Sequence, residues 1–212
     1  MCDLIFADND ILLKLAEYDL LLNACTALRT ESPKIRFQPS TKHVLLRMKD
    51  KSAKGRSVPY STAAMDRAIA FVESAVCVTS AADLDWVQGV EGINIGEAQL
   101  ASWTVEADED SVLLTGDKRF LKALAGSSAA KAVFDALRGR VICLEEILRA
   151  VILSDGVDCV RKAVKAAPWC DTAISLVFGS RFDLPDEQVL GGIESLLRDI
   201  ANVVGVGWLR RL

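Results

Sequence analysis

Three carboxylates stand at the junctions where chemistry concentrates in α/β proteins. Asp8 closes the apolar run LIFA, Glu97 lies in the segment GEAQL, and Asp117 follows the apolar run VLLTG. Grouped carboxylates serve as general acids and bases and as ligands for hard cations. Each also has a purely local role. Asn94 and Glu97, three positions apart, match a capping box. Asp8 before NDILLKLAEYDLLL and Asp117 before KRFLKAL match helix N-caps. A cap replaced by Ala costs about 1 kcal/mol, which accounts for any one of the three taken singly. Taken together they imply more, because parallel strands of an open sheet all end at one edge, and ligands bind in the crevice beyond it. Two carboxylates about 4 Å apart repel by roughly 4 kcal/mol at an effective dielectric near 20, more than a cap returns. A cation is therefore expected between them, and an all-oxygen set suits Mg²⁺ or Mn²⁺ rather than zinc.

The elements that must position these acids follow from the hydrophobic pattern. Residues 4–7 predict a buried parallel strand, and residues 9–25 a helix with an apolar stripe through Ile11, Leu12, Leu15 and Leu22. Pro33 and Pro39 bracket a second strand at residues 35–38, and Ser40 or Thr41 caps a helix running to about Met48. A basic loop is expected at residues 49–57, a helix at 61–75 and a strand at 75–79. After the central block come a helix at 128–138 and a last strand, VICL. Short strands alternating with helices predict an α/β protein, a three-layer α/β/α arrangement around a mostly parallel five-stranded sheet. Beyond Glu145 the pattern is helical alone. The expected division is a core domain over residues 1–148 and a helical C-terminal extension over 149–212. The last helix starts near Pro185 and carries a stripe of Val189, Ile193, Leu196, Leu197 and Ile200. The extension is expected to pack on the core, with Trp169 and Trp208 as packing residues; a homodimer interface or a groove for a protein partner is the sharper alternative.

Composition narrows the class. The chain has 212 residues, of which 51% are apolar, enough for a sizeable core. No apolar run approaches the 18 or so residues that span a bilayer, and the Met-Cys-Asp start has no basic leader region, so a soluble, cytoplasmic protein without membrane contact is expected. The six cysteines form no CxxC pair, and several sit in apolar stretches such as AVCVT and VICL, so they read as reduced thiols. A single histidine, His43, excludes sites that need two imidazoles. Net charge is −4. Yet between Lys34 and Arg67 nine Lys or Arg face two acids, Asp50 and Asp66. Lys49, Lys51, Lys54 and Arg56 are either a solvated face or a phosphate-backbone contact.

The blocks LIFADNDILLKLA, GEAQL, VLLTGDKRFLKAL and GRVICLEEIL, in that order, resemble the PIN-domain nucleases over roughly the first 150 residues. That resemblance implies a metal-dependent ribonuclease, of a kind often found as the toxin of a toxin-antitoxin pair, with RNA as substrate and an antitoxin as partner. It places Asp8, Glu97 and Asp117 at the three acids that hold Mg²⁺ or Mn²⁺. Asn9 and Asp10 stand where the family has a small polar residue and Asn; Asp10 is expected to cap a helix rather than to add a ligand. Where the family commonly has a fourth polar or acidic residue, this chain has Lys118 and Arg119. Asp135 reads as a surface acid. The chemistry implied is in-line hydrolysis of a phosphodiester with a cation activating water. Thr115 would orient Asp117, and Lys118 and Arg119 would steady the phosphate. Two other classes remain: a PIN-like scaffold or binding module with a degraded site, and a phosphotransferase or phosphatase using the Asp8/Asp10 pair. The second lacks a loop to cradle phosphate.

Overall fold

Five apolar runs become strands: β1 (Ile5–Ala7), β2 (Ile35–Phe37), β3 (Val76–Cys77), β4 (Val112–Thr115) and β5 (Val141–Cys143). The structure, a computed structural model, describes residues 4–212; the expectations placed on residues 1–3, including the thiol of Cys2, lie outside the described residues. All strand pairs are parallel, in the order β3-β2-β1-β4-β5. From β1 the chain builds outward through β2 to β3, then returns to the other side of β1 for β4 and β5. The reversal falls between β1 and β4, which pair Ile5 with Val112, Phe6 with Leu113 and Ala7 with Leu114.

The helices follow from the same alternation. α1 (Asn9–Glu17) and α2 (Leu21–Ala27) connect β1 to β2, and α3 (Thr41–Ala53) and α4 (Thr62–Ser74) connect β2 to β3. α5 (Ile95–Glu106) precedes β4, while α6 (Lys118–Gly126) and α7 (Lys131–Ala136) lead to β5. In the first group α4 packs on α1 and α3, and in the second α7 packs on α5 and α6, the grouping expected when right-handed crossovers send the chain to opposite faces of a sheet on either side of its first strand. β1, β4 and β5 are accordingly buried along their whole length, as strands covered on both faces must be.

β3 is an exposed edge. The opposite edge is closed by the last residues of the chain: Leu209 bridges to Val141, the Arg210 amide donates to the Val141 carbonyl at 2.8 Å, and the Gly139 amide to the Trp208 carbonyl at 2.7 Å. Trp208 is fully buried there, stacked on Phe134 at 4.9 Å between ring centres, with its Nε1 donating to the Phe134 carbonyl.

Several expectations need correction. The helix expected over residues 9–25 breaks after Glu17: Asp19 takes a left-handed φ of 56°, and the chain restarts as α2 with Tyr18 and Leu20 buried at the joint. The helix expected to end near Met48 runs to Ala53, helped by an Asp50–Lys54 pair one turn apart, so Lys49 and Lys51 lie on α3 and the loop begins at Lys54. Trp169 is 61% exposed and packs no core.

α8 (Leu144–Asp155), α9 (Val157–Ala166), α10 (Thr172–Val177) and α11 (Asp186–Val204) complete the chain. α8 packs on α2 and α9, and α11 on α6, α8 and α10. Val189, Ile193, Leu197 and Ile200 of the expected stripe are buried, and Leu196 is half-buried. The division expected at residue 148 falls inside α8, and one apolar cluster runs from the strands into α11. Among the described residues no helix is long and apolar enough to cross a membrane, and Cys25, Cys77, Cys143, Cys159 and Cys170 are free thiols.

Candidate functional site

Asp8 directly follows β1, and Asp117 follows β4 after Gly116, so neighbouring strands deliver both acids to the carboxyl edge where the strand order reverses. Glu97 arrives from the first turn of α5. All three line one cleft of about 260 Å³, together with Asn9, Asp10, Gln38, Asn94, Gly96, Leu100 and Arg119.

Asp8 caps α1. Its Oδ1 accepts from the Ile11 amide at 2.7 Å, and its Oδ2 accepts from Thr115 Oγ1 at 2.5 Å and from the Gly116 amide at 3.2 Å. Thr115 therefore orients Asp8 rather than the Asp117 carboxylate; Asp117 reaches it only through its backbone amide, at 3.2 Å. Burial pushes the Asp8 carboxyl up to about 7 against the pull of the Ile11 and Thr115 hydrogen bonds, and the like charge of Asp10 adds to the rise.

Glu97 and Asn94 form a reciprocal capping box: Asn94 Oδ1 accepts from the Glu97 amide at 3.0 Å and Glu97 Oε2 from the Asn94 amide at 2.8 Å. Burial raises the Glu97 carboxyl, the Asn94 amide lowers it, and the neighbouring charge of Asp117 raises it again. Asp117 caps α6, its Oδ1 accepting from the amides of Arg119 at 2.8 Å and Phe120 at 3.3 Å. The Arg119 guanidinium lies against the same carboxylate, with Nη2 3.0 Å from Oδ2. Burial pushes Asp117 up, but the guanidinium and the two amides more than offset it and hold Asp117 below the usual carboxylate range.

Asp10 was expected as a cap, and the structure gives that task to Asp8. Instead Tyr60 Oη donates to Asp10 Oδ1 at 3.1 Å, and Lys14 Nζ sits 2.9 Å from Asp10 Oδ2. A Cβ at position 116 would lie 2.5 Å from Asp10 Oδ2, so glycine there is what lets the turn after β4 close on this carboxylate.

Other predicted residues stand elsewhere. Lys118 does not line the cleft; its Nζ is 2.5 Å from Oε1 of the buried Glu145. Lys49 pairs with Asp66 and Lys54 with Asp50, while Lys51 and Arg56 have no ion-pair partner among the described residues. None of the four lines the cleft. The segment is nonetheless tied to it, since Tyr60 follows Arg56 by four residues, at most about 14 Å of extended chain. Asp135 pairs with Lys131 on the surface. Gln38, expected only as the last residue of the second strand, also lines the cleft, and its Nε2 donates to the Gly96 carbonyl at 2.8 Å and to Gln99 Oε1 at 3.0 Å. Its signal was available, because Gln38 follows β2 just as Asp8 follows β1.

The lining has the donors of a hard-cation site: four carboxylates and the buried Asn9 Oδ1, which has no hydrogen-bond partner. In kind these residues fit Mg²⁺ or Mn²⁺. In arrangement they are not a closed cage: among the described residues no three His, Cys, Asp or Glu side chains are grouped so as to hold a metal ion. Glu97 is turned onto the Asn94 amide, and Asp117 is occupied by Arg119. Comparison of the chain with protein-family models, with curated proteins and with solved structures gives no match.

Proposed function

We propose that the cleft binds Mg²⁺ or Mn²⁺ and that the protein is a PIN-like ribonuclease hydrolysing RNA phosphodiester bonds. The observation that carries this reading is the convergence of Asp8, Asp10, Glu97 and Asp117 on one cleft at the reversal of strand order, with Arg119 the one cation of its lining among the described residues. Capping does not require such crowding, because each helix start is served by its own acid wherever it lies. A bound divalent cation supplies water activation and neutralises charge on the phosphate.

The chain's own groups do the rest. Asp8, Glu97 and Asp117 provide carboxylate oxygens, with the remaining acceptor capacity of Asp8 Oδ1 and the uncapped Glu97 Oε1 available to a cation. Thr115 and Gly116 fix the Asp8 carboxylate against rotation. Arg119 is almost fully exposed and turns on a flexible stem, so it leaves Asp117 for an incoming phosphate, where a bidentate fork serves best. Lys51 and Arg56 extend the phosphate-binding surface along the segment that ends in Tyr60.

The test is cleavage of single-stranded RNA with Mn²⁺ by the parent protein and by Asp117→Asn. Asn preserves the N-cap, so loss of cleavage in the variant reports on chemistry rather than folding. Equal cleavage by both removes Asp117 from the reaction, and none by either protein overturns the nuclease reading.

One observation favours a second reading, a PIN-like binding or scaffold module. Arg119 stands on Asp117 where a fourth acid would otherwise gather a cation. Under this reading Mn²⁺ binding, followed by calorimetry, is insensitive to Asp8→Asn.

A further inference from the structure

Lys14 lies between two carboxylates that come from opposite ends of the chain. Its Nζ is 2.9 Å from Asp10 Oδ2 in the cleft and 3.0 Å from Asp171 Oδ2 at the start of α10. Lys14 and Asp171 are both largely buried, with 14% and 13% of their side chains exposed, so this bridge is poorly screened. Burial pulls the Lys14 ammonium down, but the two carboxylates more than offset it and hold it charged. Asp10 is fixed from three sides, by Lys14, by Tyr60 and by the turn at Gly116.

We infer that Asp171 is a positioning residue for the cleft: by sharing the Lys14 charge it leaves Asp10 with net negative character toward a divalent cation. This inference rests on the cation-site reading above. A lysine paired with Asp10 alone would cancel that carboxylate and lower its value as a ligand. With Asp171 drawing on the same ammonium, the three-residue set keeps one negative charge, and the part facing the cleft is Asp10. The helical C-terminal segment thus enters the electrostatics of a site built by the sheet.

The sign of the effect separates this role from simple packing. Removing the Asp171 charge weakens cation binding, because Lys14 then acts wholly on Asp10; removing the Lys14 charge strengthens it. A purely structural network would weaken binding in both cases. Asp171→Asn is a clean substitution, since Asp171 caps α10 through the Ile174 amide and Asn caps equally well. Lys14→Met keeps the apolar stem.

The full chain and both variants are titrated with Mn²⁺ by calorimetry, with a thermal melt of each. Expected are affinity lower by roughly fivefold in Asp171→Asn and higher by a similar factor in Lys14→Met, the lower end of ordinary coupling between sites. Unchanged or tighter binding by Asp171→Asn overturns the inference, as does weaker binding by a Lys14→Met protein with a parental melt. If Lys14→Met does not fold, Lys14→Gln, which keeps a hydrogen-bond donor between the two carboxylates, takes its place with the same expected sign. Should the parent bind no Mn²⁺, the cation-site reading falls, and this inference with it; parental binding unaltered by Asp171→Asn removes the inference alone.

Discussion

Thr115 Oγ1 donates to Asp8 Oδ2 across 2.5 Å, joining the ends of two adjacent strands over 107 positions of sequence. Both groups are buried. The bond has two consequences: it fixes the direction of the carboxylate, and it favours the ionised form of a group whose burial favours the neutral one. Thr115→Val keeps the shape of the side chain and removes the donor. The Asp8 carboxyl is expected to titrate above its parental value near 7, with a stability loss of about 1.5–3 kcal/mol at neutral pH, as for a hydrogen bond to a charged group. Carboxyl carbon NMR shifts against pH, with urea denaturation, measure both; an unmoved Asp8 titration would show the bond to be absent.

The raised Asp8 carboxyl makes stability depend on pH in a direction opposite to most acids. A folded value of about 7 lies above the ordinary 3.8 of the unfolded chain, so the folded protein holds this proton more tightly. Its stabilising contribution is fully present below pH 3.8 and is lost as pH rises through 7. Between pH 5 and pH 8 the parent should lose about 2 to 3 kcal/mol relative to Asp8→Asn, which carries no titrating group there. Urea denaturation of the two proteins at both pH values checks this, and a parallel pH dependence in both would show that Asp8 titrates normally. Adding Mn²⁺ should flatten the parental curve if a cation binds Asp8.

Gly116 and Asp10 are coupled by contact. A Cβ at position 116 would meet Asp10 Oδ2 at 2.5 Å, so Gly116→Ala either displaces the carboxylate or strains the turn, at about 1–3 kcal/mol. Asp10→Ala clears the space, although it also removes the partner of Tyr60 and Lys14. The double variant is expected to be more stable than the sum of the two single losses, by 0.5 kcal/mol or more in a double-mutant cycle of melts, an interaction of order 0.5–3 kcal/mol being usual for residues in contact. Strict additivity would place Asp10 away from the turn.

How much of this was legible beforehand depends on the range of each interaction. The caps at Asp8, Asn94 and Asp117 are local, set by a side chain and an amide two or three residues away, and the chain spells them out. Strand identities were legible for the same reason, as short apolar runs between turn residues. Asp8 and Asp117 could be brought together only conditionally, since that required β1 and β4 to be neighbours, which the structure supplies. Tyr60 on Asp10 and Asp171 on Lys14 were not legible, because pairs 50 and 157 positions apart leave no periodic trace. Arg119 is expected to steady a phosphate; its contact with Asp117, two residues back in its own helix cap, had no separate mark in the sequence. The break at Asp19 was hidden by an apolar pattern that continues in phase across it.

The strand at the middle of the sheet is synthesised more than a hundred residues before the neighbour that completes its inner side. At roughly 5–20 residues per second, a ribosome takes on the order of ten seconds to cover that distance. During that interval Asp8 has no Thr115, no Gly116 and no Asp117. The acidic pocket is complete only once the returning strand docks, and any unravelling that detaches that strand takes Asp117 and the Thr115 and Gly116 donors away from Asp8.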